Sequence, residues 1–255
     1  MSAPNDSRSL YLDLLKKCLL GMIYQDPPIS APAIGGYATK SYIKKIREFG
    51  RDLPSQAHSM IGLRRMNNLQ TCIEQVLADN VAGDLIETGV WRGGATIFMR
   101  GVLKAWGVID RTVWVADSFA GLPAPDGERY PMDAVWEPSA GGIAVTLETV
   151  RQNFARYGLL DDQVRFLKGW FKDTLPGAPI TQIAVLRLDG DYYESTRDAL
   201  THLYPRLVPG GFVIVDDFNF ETCRQAVHDY RAAAGINEPI LDIDGNGVYW
   251  RRQCR

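Results

Sequence analysis

Apolar and polar positions change their period near residue 80. Before it the spacing is helical. "SLYLDLLKKCLLGMIY" (9–24) sets Leu10, Leu14, Leu15 and Cys18 at helical intervals, an amphipathic stripe. "SMIGLRRMNNLQTCIEQVLADN" (59–80) reads as one long helix. Between them "QDPPISAPAIGG" (25–36) is rich in Pro and Gly and predicts a loop or arm. From Asp84 onward short apolar runs alternate with helical periods. "DLIETGV", "TVWVADSF", "VRFLKGW", "QIAVLRLD" and "GGFVIVDD" read as strands. "GGATIFMRGVLKAWG", "TLETVRQNFARYG", "STRDALTHLYPRL" and "ETCRQAVHDYRAAAG" read as helices. Residues 120–143 carry Pro and Gly without a clear period, and "EPILDIDGNGVYWRR" closes the chain as a hairpin.

This alternation implies parallel strands joined by right-handed crossovers, with the final hairpin adding an antiparallel strand. Residues 1–80 then form a helical arm and cap, and residues 81–255 an α/β core with helices on both faces. Ligands bind such open sheets beyond the carboxyl ends of the strands, near the switch in strand order. Three of the predicted strands end there on acids: Asp117, Asp189, and the pair Asp216–Asp217.

Composition narrows the partners. The chain has 255 residues, 46% hydrophobic and 23% charged, an ordinary globular mix. A formal net charge of −2 gives no basic field for nucleic acid or anionic lipid. No apolar run reaches the roughly 18 residues of a membrane span, so no membrane association is expected. "MSAPNDSRSL" lacks a basic start and an apolar core, which predicts no signal peptide. Cys18, Cys72, Cys223 and Cys254 are scattered, as suits reduced thiols in a cytoplasm.

"ETGVWRGG" (87–94) is a tight strand-to-helix turn in which Gly89 can take backbone angles closed to other residues. Its spacing is not the dinucleotide fingerprint, because Trp91 stands where that motif needs its second Gly. This speaks against a nicotinamide-dependent oxidoreductase, although the glycines alone also suit a plain turn. Asp117 can accept from both hydroxyls of an adenosine ribose, or cap a turn. Asp189, Asp216 and Asp217 would meet at neighbouring strand tips. Crowded carboxylates repel unless a proton or cation intervenes, and Mg²⁺ favours oxygen ligands of this kind. Helix capping is the plainer use of such acids. The doubled Asp216–Asp217 beside Asn219 exceeds that need, and the alternative of a non-catalytic nucleotide- or sugar-binding protein has no use for three converging aspartates. "DIDGNGVYWRRQ" starts like a calcium loop, but Gln253 takes the place of the final Glu; a hairpin turn explains it better. His58, His202 and His228 share no ligand spacing. Trp170 and Phe171, after the third strand, can flank an adenine or simply cover the sheet edge.

The chain resembles the macrocin O-methyltransferase family, which includes the mycinamicin and novobiocin sugar O-methyltransferases. The resemblance rests on "AHSMIGLRRMNNLQ", "GDLIETGVWRGGATIFMRG", "DRTVWVADSFAGLP", "LRLDGDYYESTRDAL" and "YPRLVPGGFVIVDDF". It implies a seven-stranded, mostly parallel Rossmann-like methyltransferase sheet. It implies S-adenosylmethionine bound by Met60, Glu87, Gly89, Asp117, Ser118, Gly169, Trp170 and Phe171. It also implies Mg²⁺ at Asp189, Asp216 and Asp217, with Asp189 as the base. The implied acceptor is a sugar hydroxyl of a glycosylated natural product; a phenol or catechol is the alternative within methyltransferases. Residues 25–50 and 120–143, with Tyr37, Tyr42, Tyr130 and Trp136, are expected over that acceptor, and a homodimer or higher oligomer is expected.

Overall fold

The computed structural model describes residues 6–29, 41–135 and 143–253. Helix α1 (Ser7–Leu19) starts where the Asp6 carboxylate accepts the Ser9 amide at 2.7 Å, a side-chain cap. A short α2 (Lys44–Glu48) leads to α3 (Gly62–Ala78). Strand and helix then alternate: β1 (Asp84–Thr88), α4 (Gly94–Ala105), β2 (Val113–Asp117), α5 (Leu147–Arg156) and β3 (Val164–Lys168). A one-turn α6 (Phe171–Thr174) precedes β4 (Ile183–Leu188), α7 (Tyr193–Leu203), β5 (Leu207–Val215) and α8 (Glu221–Ala234). The hairpin β6 (Leu241–Asp242) and β7 (Val248–Arg251) follows.

The strands form a seven-stranded sheet in the order β3-β2-β1-β4-β5-β7-β6. β1 runs parallel to both β2 and β4, β4 is parallel to β5, and β7 is antiparallel to β5 with β6 along its outer edge. The order therefore switches between β1 and β4, which is where open sheets of this kind form a crevice.

Side chains alternate across the sheet with period two. Leu85, Val113, Val115, Phe212 and Ile214 face a core shared with α1, α3, α4 and α5. Ile86, Trp114, Leu186, Leu188, Val213 and Val215 face a second core with α7 and α8. The α1 stripe differs from the one its sequence predicts. Leu12, Leu15 and Leu19 are buried, whereas Leu10 and Leu14 remain 53% and 52% exposed. Two apolar stripes overlap on this helix, and packing against α4 selects the one through Leu15, whose side chain meets Gly101. α1 and α3 thus share the first core with β1 and β2. Tyr37 and Trp136 lie outside the described residues.

Candidate active site

The site grows from one register. Glu87 on β1 stands beside Arg187 on β4, and Leu188 pairs with Val215, so the next residues, Asp189 and Asp216, leave the sheet side by side. The Asp189 amide donates to Thr88 O and the Asp216 amide to Leu188 O, both at 2.9 Å, extending the ladder past the strand ends. Gly89 must be glycine here. Its φ is +86°, and a Cβ would lie 1.7 Å from the Asp189 carbonyl oxygen.

Arg187 is fully buried and binds three strand ends at once. Its guanidinium donates to Glu87 Oε1, to Asp189 Oδ2 at 2.6 Å and to Asp216 Oδ1. Arg65, reaching in from α3, donates to Asp216 Oδ2 and, at 3.1 Å, to Asp244 in the β6–β7 turn. Asp217 points differently: its Oδ2 accepts the Asp191 amide at 3.2 Å. Carboxylate oxygens of Asp189, Asp216 and Asp217 lie within 4.8 Å of one another. The sheet thus brings the three acids together.

Electrostatics reflect that crowding. Burial first, and then Asp189 and Asp216, push the Glu87 carboxyl up to about 8 against the pull of Arg187. Burial and the same two neighbours push Asp191 up to about 7. Asp189 and Asp217 are raised too, first by burial and then by neighbouring carboxylates. Carboxylates outnumber the guanidiniums of Arg65 and Arg187, so the cluster holds a surplus of hard oxygen donors. That donor set fits a small divalent cation, with water or substrate oxygens completing its shell.

The crevice continues along β1, β2 and β3. Asp117 accepts the Val90 and Phe119 amides, each at 2.7 Å, so its carboxylate caps the turn after β1. The Ser118 hydroxyl lies 3.4 Å from Asp117 Oδ1. Ser118 Oγ donates to Gly121 O at 2.6 Å. The Gly169 amide donates to Asp117 O at 3.0 Å, which ties the start of Trp170–Phe171 to the same crevice. Phe171 packs near Gly190 in the acid loop. His58 and Ser59, just before Met60, lie against Gly94, where a Cβ would meet His58 O at 2.4 Å. Glu87 sits deeper than the rest, only 2% exposed, and its Oε2 has no hydrogen-bond partner among the described residues.

Residues 8–252 match the family described as Macrocin-O-methyltransferase (TylF). The chain belongs to the macrocin O-methyltransferase family. It is 58% identical over 248 residues to the 8-demethyl-8-(2,3-dimethoxy-alpha-L-rhamnosyl)-tetracenomycin-C 4'-O-methyltransferase of Streptomyces olivaceus, covering 96% of this chain and 94% of that one. It is 54% identical to the mycinamicin III 3''-O-methyltransferase of Micromonospora griseorubida, over 99% of this chain and all of the relative. The solved structure of the O-methyltransferase NovP superposes with a TM-score of 0.88 at 51% identity, covering 97% of this chain and 100% of that one. This chain is accordingly an S-adenosylmethionine-dependent O-methyltransferase of small molecules.

Within this methyltransferase, sequence reasoning missed Arg65, Arg187, Asp191 and Asp244. A signal for Arg187 was available: it stands two residues before Asp189, on the same face of the strand. Arg65 carried no such signal, since its partners lie 151 and 179 residues away. The turn "DIDGNG" is a hairpin turn, as its flanks imply, and its Asp244 belongs to the charge network as well. No described helix is long and apolar enough to cross a membrane.

Proposed function

We propose that this enzyme methylates a sugar hydroxyl of a glycosylated natural product, with a divalent cation such as Mg²⁺ held by Asp189, Asp216 and Asp217. The carrying observation is the convergence of these three carboxylates within 4.8 Å beside the crevice of β1 and β2. The names of two relatives, which act on a rhamnosyl group and on a mycinamicin, support a glycosylated acceptor.

In this reading S-adenosylmethionine supplies an electrophilic methyl group, and the cation lowers the cost of negative charge on the acceptor oxygen. Asp189 takes the hydroxyl proton. Its ordinary pKa of about 3.9 makes it a weak base, so the cation would supply most of the acidification of the hydroxyl. Asp216 is held in place by Arg65 and Arg187, and Asp217 by the Asp191 amide. Asp117 and Ser118 receive the ribose, Gly89 and Gly169 let the backbone approach, and Trp170 and Phe171 flank the adenine. Met60 and Glu87 face the methionine end. Alignment of acceptor and methyl donor by these groups contributes up to roughly 7–11 kcal/mol in favourable cases.

Residues 1–80 act as arm and cap, and residues 81–255 carry the chemistry. Residues 25–50 and 120–143 cover the acceptor. Tyr42 is available to it, while Tyr130 is buried against Tyr193. The exposed Leu10 and Leu14 on α1 suit contact with a second copy of the chain. The test is transfer of labelled methyl from S-adenosylmethionine to glycosylated natural products. Transfer to a sugar oxygen, lost on chelation and restored by Mg²⁺, is expected. Full turnover after chelation would overturn the metal role, and a methyl group on an aglycone phenol would overturn the sugar acceptor.

A further inference from the structure

Helix α7 begins directly after the acid loop, yet it lacks a cap of its own. Its N-cap residue, Tyr192, makes no side-chain cap hydrogen bond. Helix starts leave amides that need acceptors. Here the acceptor comes from 60 residues upstream: Asp133 takes the Tyr193 amide at 2.7 Å and the Glu194 amide at 3.0 Å. Asp133 sits on a 3-10 turn (Pro131–Val135), its relative exposure is 0%, and its charge meets the positive end of α7.

The surroundings make this contact more than a local cap. The Asp133 amide donates to Tyr130 O at 2.9 Å, and the buried Tyr130 ring lies 5.8 Å from that of Tyr193. The stretch before α5 is thereby docked onto the first turn of α7 by a carboxylate and a ring pair. On the other side of that turn the chain is constrained again. Asp191 is left-handed at φ +56°, a conformation that side chains other than Gly seldom adopt. Its amide donates to Asp217 Oδ2 at 3.2 Å, and its carbonyl accepts the Thr222 hydroxyl at 2.9 Å. The acid loop is therefore fixed at one end by β4 and at the other by Asp133. Losing either amide would leave a fully buried carboxylate short of a partner, which is costly.

We infer that Asp133 is a positioning residue: it locks the loop carrying Asp189 and Asp191 to the acceptor-side stretch, so that one anchor sets the reacting carboxylate relative to the acceptor. This rests on the proposed role of Asp189 and on the proposed place of residues 120–143 over the acceptor, of which Tyr130–Val135 is the part used. Asp133 itself touches no reacting atom. On the cofactor side the backbone ties at Gly89, Asp117 and Gly169 lie outside α7; α6 touches it, through the Lys172–Glu194 ion pair at 3.6 Å, and Phe171 lies beside Gly190.

The test compares Asp133→Ala and Asp133→Asn with the wild type in the full chain. Three readouts are taken: kcat and KM with mycinamicin III and with the rhamnosyl-tetracenomycin as acceptor probes, calorimetric affinity for S-adenosylhomocysteine, and amide exchange at Asp191, Tyr193 and Glu194. The Ala variant should lose about a hundredfold in acceptor kcat/KM, the scale for roughly 1 Å of misplacement. Its S-adenosylhomocysteine affinity should stay within about twofold, well under the tenfold that 1.4 kcal/mol represents. Exchange should accelerate at the three amides before the rest of α7. The Asn variant keeps an acceptor oxygen and should fall between. Wild-type kcat/KM and exchange in the Ala variant would overturn the inference, as would an equal loss of cofactor affinity. A loss of activity matched by the unfolded fraction would also overturn it, leaving Asp133 a plain helix cap. If the wild type transfers no methyl to either probe, the proposed function fails for those acceptors, and the exchange data still decide whether Asp133 holds the acid loop.

Discussion

Arg187 concentrates the chemistry of single residues in this site. It is a cation with no exposure, shared by Glu87, Asp189 and Asp216. Replacing it by Met would strand the buried Glu87 carboxyl and take one partner from Asp189 and from Asp216, the latter still held by Arg65. Breaking a buried pair from one side costs about 3–5 kcal/mol, so Arg187→Met should lower the unfolding free energy from urea titration by that order, with a matching fall in the midpoint. Arg187→Lys keeps the charge but loses the planar fork that serves several acids at once, and should fall between the two. A wild-type midpoint in the Met variant would show that the network adds nothing to stability. Asp117 offers the parallel case on the cofactor side. Asp117→Ala should weaken S-adenosylmethionine binding by about 1–3 kcal/mol, the scale for leaving polar groups unmatched. Unchanged affinity by calorimetry would remove Asp117 from the cofactor site. The acids were legible in the sequence because each closes an apolar run. Of their guanidinium partners, Arg187 was hinted at by its place two residues before Asp189, but Arg65 on α3 was not, because its acids lie 151 and 179 residues away.

At the scale of elements, the strands and long helices were readable because burial repeats along them. β4 is buried along its whole length, as suits a central parallel strand, and Arg187 is its one charged residue. α2 and α6 were not readable: 5 and 4 residues hold too few turns to show a period. α1 failed in an instructive way. Leu10, Leu12, Leu14, Leu15 and Leu19 spread over more than half of its circumference, wider than one buried face, so periodicity alone cannot choose among them. The structure chooses Leu12, Leu15 and Leu19. Leu15→Ala should therefore cost about 2–5 kcal/mol as a core truncation, while Leu14→Ala should stay within about 0.5 kcal/mol in the monomer. Denaturation of the two variants at low protein concentration distinguishes the faces, and a reversal of the two costs would mean that α1 packs by its other stripe.

At the scale of the whole molecule, the chain order predicted a parallel sheet and where its ligands gather, but not how distant segments share charge. α3, β1, β4, β5 and the last hairpin each send an ionisable group into one cluster, and only the closed fold unites them. This union should govern stability against pH. Glu87 at about 8 lies above its ordinary 4.5, and Asp191 at about 7 lies above its ordinary 3.8. The folded protein thus retains protons that the unfolded chain has released. A group shifted this way supports the fold fully below its unfolded pKa, and that support is lost as pH rises through the folded value. His58 works in the opposite direction. Burial, with Arg156 and Arg92 nearby, pushes it down to about 4 from 6.5, so it penalises the fold only as pH falls below 6.5. Between pH 6.5 and 8 the acids stand alone among these three. In the presence of a chelator, stability should fall across that window, by up to about 1.4 kcal/mol per pH unit for each proton still held. Saturating Mg²⁺ should flatten the slope, because a cation favours the ionised carboxylates and binds more tightly as they lose their protons. Urea midpoints at fixed ionic strength, with chelator and with Mg²⁺, measure both slopes. A midpoint that rises from pH 6.5 to 8 without metal would mean that Arg65 and Arg187 already keep these acids ionised, and that the cluster has no surplus charge left for a divalent ion to neutralise.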